Sequence, residues 1–146
     1  MILKEALEQD IDKITELCLS WAKDMNYTVS RKDIRDDLSN YISNGVVILA
    51  EDKEVILGVM SGIKVWHFWV GKNIAHEHWF FVRQDERGKG VGRMMEIYFT
   101  AWAKARGCAS VILSPNEFGT LNPEKAADRF SKYGYKIHGY LMKKEI

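Results

Sequence analysis

The chain has 146 residues and a mass of 16.9 kDa, the size of one domain. Hydrophobic residues make up 47% and charged residues 28%, a globular composition and not a disordered one. Lys and Arg number 21 against 20 Asp and Glu, a net charge of +1, so the basic excess of a dedicated nucleic-acid binder is missing.

No apolar run approaches the ~20 residues that span a bilayer. Met1–Glu5 lacks a basic stretch followed by a long apolar one, so no signal peptide is expected. Two cysteines are too few for a disulfide scaffold and point to a reduced, cytoplasmic compartment. Neither nucleic acid nor a membrane is expected as a partner.

Residues 2–7 read as a short strand. Asp10 then precedes Ile11, Ile14, Leu17/Cys18 and Trp21, the spacing of an amphipathic helix with Asp10 as N-cap. Cys18 lies on the buried stripe and reads as a core residue. A second helix is predicted from Ser30 to Ile42, opened by Ser30-Arg31-Lys32-Asp33 in the manner of a capping box and closed by Asn44-Gly45. Val46–Ala50 suits a buried strand. Asp52-Lys53 turns the chain into a strand over Val55–Val65. After the aromatic cluster Trp66-His67-Phe68-Trp69, Ile74–Val82 is a further strand. A helix is predicted from Gly92 to Arg106, a strand over Ser110–Ser114, and a helix from Pro123, capped by Asn122, to about Lys132. Tyr135–Met142 reads as a last strand. The order β-α-α-β-β-β-loop-α-β-α-β predicts a mixed α/β sheet with a central meander and helical crossovers, in one domain over residues 1–146.

The stretch Arg87-Gly88-Lys89-Gly90-Val91-Gly92-Arg93 is the most informative. Glycine at alternate positions between a strand end and a helix start permits positive φ and lets a ligand touch the backbone. Main-chain N–H groups there form an anion cradle strengthened by the helix dipole. A phosphate or pyrophosphate ligand follows. A P-loop is a poor match, because Gly90 follows Lys89 and no Ser or Thr is placed for magnesium. A dinucleotide fingerprint is also poor, because Met95 stands where its third glycine belongs and Ser110 where its acid belongs.

Arg87-x-x-Gly90-x-Gly92, following a strand and opening a helix, resembles the Q/R-x-x-G-x-G/A acetyl-CoA signature of the GNAT N-acetyltransferase superfamily. Val82–Gly88 resembles that family's lead-in, departing from it at Asp85-Glu86. Ala126 and Phe130–Tyr135 resemble its later helix end, and the element order matches over nearly the whole chain. The resemblance implies a mostly antiparallel mixed sheet whose fourth and fifth strands splay apart around the pantetheine arm. It implies acetyl-CoA as co-substrate, with the backbone amides of Arg87, Gly88, Lys89, Gly90, Val91, Gly92 and Arg93 on the pyrophosphate. Main-chain groups of Phe80, Phe81 and Val82 would meet the pantetheine and thioester.

Acetyl transfer to an amine must remove a proton from an ammonium, of which only about 1 part in 10³ is neutral near pH 7. The candidates are in Ala75-His76-Glu77-His78-Trp79. On a regular strand His76 and His78 share one side, which Phe80 and Val82 continue, while Glu77 faces the other. The pair resembles the proton-relaying histidines of arylalkylamine N-acetyltransferases. Other family members use a Glu on this strand, so Glu77 is a rival base. The leaving thiolate also needs a proton. Phe130 stands where many members have a Tyr acid, which leaves Tyr133 as candidate, with core packing as its alternative. Ser114 and Asn116 are further candidates for pantetheine. A zinc site on His76, His78 and His67 is the competing metal reading; it leaves the glycine loop unexplained, and no metal is expected.

Trp66, His67, Phe68 and Trp69, with Phe118, either line an acceptor pocket or pack into the core or a dimer contact. Asp33, Asp36 and Asp37 either attract a cation or form a solvated helix face. The expected function is an acyl-CoA-dependent N-acetyltransferase acting on a small-molecule or protein amine, with homodimer formation left open. The alternative is a non-catalytic acetyl-CoA sensor.

Overall fold

The computed structural model describes residues 1–114, 123–139 and 144–146. Residues 1–114 form one compact unit and residues 115–146 a second. The first unit holds β1 (Ile2–Glu5), α1 (Ile11–Asp24), α2 (Arg31–Asn44), β2 (Gly45–Asp52), β3 (Val55–His67), β4 (Lys72–Val82), α3 (Val91–Ala105) and β5 (Val111–Ile112). The second holds α4 (Pro123–Ser131). The strands form one sheet in the order β1-β2-β3-β4-β5. Pairing is antiparallel from β1 to β4 and parallel between β4 and β5.

The apolar run Val46–Ala50 is buried throughout because it serves both faces of the sheet. Val47 and Leu49 meet Ile14 of α1 and Leu38 of α2. Val46, Ile48 and Ala50 meet Met95 and Phe99 of α3. The sheet is therefore a central layer with α1 and α2 on one face and α3 on the other.

Local signals account for most element ends. Ser30 caps α2, its Oγ accepting the Asp33 N–H at 3.1 Å. Asp10 does not cap α1 as expected. It closes a short 3-10 turn, and its carboxylate accepts the Leu7 N–H at 2.9 Å and Lys4 Nζ at 3.2 Å. Cys18 packs against the α1/α2 core, and burial pushes its thiol up to about 12, which keeps it protonated. The strand expected over Tyr135–Met142 is not seen at 135–139, which carry no regular structure; 140–142 lie outside the described residues.

The register between β3 and β4 holds one irregularity. Ser61 faces Trp79 and Gly62 faces Glu77, so His78 is an extra residue in β4, a β-bulge.

Candidate active site

The bulge decides which side chains share a face. His76 lies opposite Ile63, on the α1/α2 side. His78 turns to the same side: its ring centroid is 5.2 Å from that of His76 and 5.1 Å from that of buried Tyr41 on α2. The shared face of the two histidines is as expected. Phe80 and Val82 do not continue it. The extra residue shifts the alternation, and both pack against the α3 core.

Glu77 lies opposite Gly62 and is only 3% exposed. A carboxylate oxygen accepts the Ser114 N–H at 3.0 Å. Burial pushes the Glu77 carboxyl up to about 7, against the lowering effect of that hydrogen bond. His76 is half-buried, and burial followed by repulsion from His78 holds its imidazole below the ordinary value. His78 is exposed.

β5 pairs with β4 only at Ala75 and His76. Beyond His76, Ser114 donates its N–H to the Glu77 carboxylate in place of a ladder partner. The β4 edge from Glu77 to Val82 thus has no strand beside it among the described residues.

That edge leads to the glycine loop. Gly88 and Gly90 have φ of +84° and +90°, and Gly90 is the residue on which α3 begins. The first helical bond runs from Met94 N–H to Gly90 O at 3.0 Å, so the Val91 and Gly92 N–H groups precede the ladder. A Cβ at Gly88 or Gly90 would meet nothing within 4 Å, whereas one at Gly92 would make ordinary contacts with Phe80 and Val82 at 3.5 and 3.6 Å. The loop is open above Gly88 and Gly90 and packs on Phe80 and Val82 at Gly92, with main-chain N–H groups at the helix start that fit a diphosphate.

The loop's cations are engaged by its acids or by the backbone. Arg83 pairs with Asp85 at 2.8 Å, Lys89 with Glu86 at 3.1 Å, and Arg93 with Glu96. Arg87 donates through Nε to Val82 O at 3.0 Å. Phe81 faces α1, stacked on Trp21 with centroids 3.4 Å apart.

Tyr133 belongs to the second unit, beyond the end of α4, where its N–H donates to Phe130 O at 2.9 Å. Its ring lies edge-on to Phe130 with centroids 6.3 Å apart. Asn116 and Phe118 lie outside the described residues. Trp66, Phe68 and Trp69 are not core; they are exposed at the β3–β4 hairpin. No three His, Cys, Asp or Glu among the described residues converge as a metal-binding group. Tyr41 and the His78 bulge were not legible as site features: Tyr41 reads as part of an ordinary helix stripe.

A family model described as Acetyltransferase (GNAT) family matches residues 9–135. Solved structures share the fold. A transcriptional regulator from Bacillus halodurans C-125 aligns with TM-score 0.79 and 17% identity over 99% of each chain. A predicted acetyltransferase from Clostridium acetobutylicum, with acetyl-CoA, gives TM-score 0.77 and 16% identity over 99% of this chain and 95% of that one. Glucosamine-6-phosphate N-acetyltransferase from Arabidopsis thaliana gives 0.75 and 16% over 99% and 97%. No curated protein matches in sequence.

Proposed function

The chain belongs to the GNAT acetyltransferase family, and on that premise we propose that it moves the acetyl group of acetyl-CoA to a primary amine by direct attack. The observation that carries the reading is the open, amide-lined glycine loop at the end of a strand whose edge, back to Glu77, has no strand beside it among the described residues. The pyrophosphate of coenzyme A would rest on the backbone amides between Gly88 and Arg93, Lys89 apart; the Arg87 and Lys89 N–H groups donate to Gln84 O and Glu86 O at 3.3 and 3.4 Å. The pantetheine would lie along the Phe80–Val82 main chain, with the thioester near the bulge.

His76 acts as base in this mechanism. Its lowered proton affinity keeps it neutral near pH 7, so it can take the ammonium proton, with His78 beside it to pass that proton to solvent. The neutral amine attacks the thioester carbon, main-chain N–H groups of β4 steady the oxyanion, and the carbon–sulfur bond breaks. The thiolate of coenzyme A is a tolerable leaving group, with a thiol pKa of about 8.5. The second proton, shed by the attacking nitrogen, goes to that thiolate. Glu77 is the rival base, since its carboxyl sits up at about 7; its contact with Ser114 favours a role in holding β4 and β5 at the point where they part.

The neighbours' acceptors include glucosamine-6-phosphate, and a small-molecule amine is accordingly the first class to test here. Release of free thiol from acetyl-CoA is measured across a panel of amines, with His76→Ala, His78→Ala and Glu77→Gln. Turnover with at least one amine, abolished in His76→Ala, supports the reading. Tight acetyl-CoA binding with no turnover for any amine supports the sensor instead.

A further inference from the structure

The β3–β4 hairpin outruns its sheet. β2 leaves β3 after the pair Gly45↔Ile63. The chain leading into β5 leaves β4 at Asn73, whose carbonyl accepts the Ala109 N–H at 2.8 Å. On the β3 edge the four pairs from Lys64↔Ala75 to His67↔Lys72 stand beyond the end of β2, roughly 13 Å of ribbon at ~3.3 Å per residue. The turn that closes it is tight: the Val70 and Gly71 N–H groups both donate to His67 O, at 3.2 and 2.9 Å, and Gly71 takes φ +63°.

This turn carries a heavy apolar load in the open. Trp66 is 63% exposed, Phe68 75%, Trp69 88% and Val70 51%. Phe68 and Trp69 rest edge-to-face on each other at 5.3 Å. Three aromatic side chains can each bury about 150–250 Å², so the tip presents several hundred Å² of apolar surface, which on a monomer marks an interaction site. The charge around it has one sign. The sequence holds no Asp or Glu from Val55 to Ala75, while Lys64 and Lys72 are exposed at the flanks of the tip.

Shape selects the occupant. A folded partner, including a second copy, would need a matching groove and about 800 Å² on each side for a stable interface, more than one narrow convex turn offers. A fluid lipid surface closes around a convex tip without complementary relief. Indole rings favour the headgroup level, and lysines set back along the ribbon reach lipid phosphates while their stems stay apolar. We propose that the β3–β4 hairpin tip docks on an anionic bilayer, with Phe68, Trp69 and Val70 entering the headgroup–acyl boundary and Lys64 and Lys72 on the headgroup charges. The expectation of no membrane partner rests on the lack of an apolar span long enough to cross; shallow insertion of a turn needs no such span. The proposal is independent of the acetyl-transfer reading.

The test uses the full chain with extruded vesicles of phosphatidylcholine alone or with about one-third phosphatidylserine. The expected result is co-sedimentation with the anionic vesicles, a blue shift of tryptophan emission, and quenching by brominated lipid. Phe68→Ser with Trp69→Ser should weaken binding about tenfold or more, because interfacial affinity scales with the apolar area inserted. Lys64→Glu with Lys72→Glu should remove the preference for phosphatidylserine. Both pairs of side chains are exposed, so the variants should melt with the parent; Trp69→Ser alone gives the same comparison if the double variant does not. No association with anionic vesicles, or association unchanged by the tip variants, overturns the proposal. So does a tip-dependent dimer in sedimentation equilibrium without vesicle binding, which would assign the tip to a second copy.

Discussion

The buried carboxylate of Glu77 accepts the Ser114 main-chain N–H at 3.0 Å, across the gap where β4 and β5 separate. A side chain thus replaces the next rung of the parallel ladder. The contact ties β4 to the chain where β5 ends, and among the described residues no strand lies beside β4 beyond it.

Burial of that carboxylate makes stability pH-dependent. The folded state raises the Glu77 carboxyl from 4.5 to about 7, so its stabilising contribution is complete below about pH 4.5 and is lost as pH rises through 7, by about 3 kcal/mol at most. Glu77→Gln keeps an oxygen for Ser114 and removes the charge. Urea unfolding should find the variant close to the parent at pH 4 and more stable at pH 8.

A separate prediction concerns kcat. With His76 as base, kcat should rise with pH through a midpoint below the ordinary imidazole value of about 6.5, since burial and His78 both lower its proton affinity. His76→Ala should erase this limb and reduce kcat near pH 7 by about 10²–10⁴. A limb centred near 7 that disappears in Glu77→Gln and survives in His76→Ala would move the base to Glu77.

The glycine loop offers a paired comparison. Gly90→Ala puts a methyl group into open space at φ +90°, with a backbone strain of about 1–2 kcal/mol. It should raise the KM for acetyl-CoA at least about tenfold, because that space is where a diphosphate would sit. Gly92→Ala makes only ordinary contacts with Phe80 and Val82 and gains helix propensity of up to ~1 kcal/mol. Its KM for acetyl-CoA should stay near the parent's. Steady-state kinetics with acetyl-CoA varied checks both.

Gly62 stands across from Glu77, and a Cβ there would lie 2.5 Å from the Phe99 ring and 2.8 Å from His76 O. Gly62→Ala should therefore destabilise the fold by about 1–3 kcal/mol, read as a lower urea midpoint with the slope unchanged.

Most of the fold was legible because its signals are local. Ser30 marks the start of α2, the run Val46–Ala50 marks a strand buried on both faces, and the helix expected from Gly92 begins one residue earlier, at Val91. What was not legible depends on neighbours. Asp10 has the chemistry of a cap, yet Lys4 and the Leu7 N–H claim its carboxylate. β5 was expected over Ser110–Ser114 and covers Val111–Ile112; at its far end Ser114 bonds the Glu77 side chain and not the β4 backbone. The pleat argument paired His76 with His78 correctly and failed one step later at Phe80, since nothing in the local sequence announces that Gly62 and Ser61 span three residues of the facing strand. The aromatic cluster could be read as core or pocket from composition alone; its exposure follows from the neighbouring strands ending short of it.

The bulge at His78 works as a phase slip. Without it, an imidazole at 78 on the α1/α2 side and apolar side chains aimed at α3 from positions 80 and 82 could not coexist on one regularly pleated strand. With it, the two stretches of β4 are uncoupled. His76 and His78 share the α1/α2 side, and two residues further on the strand under the glycine loop packs against α3.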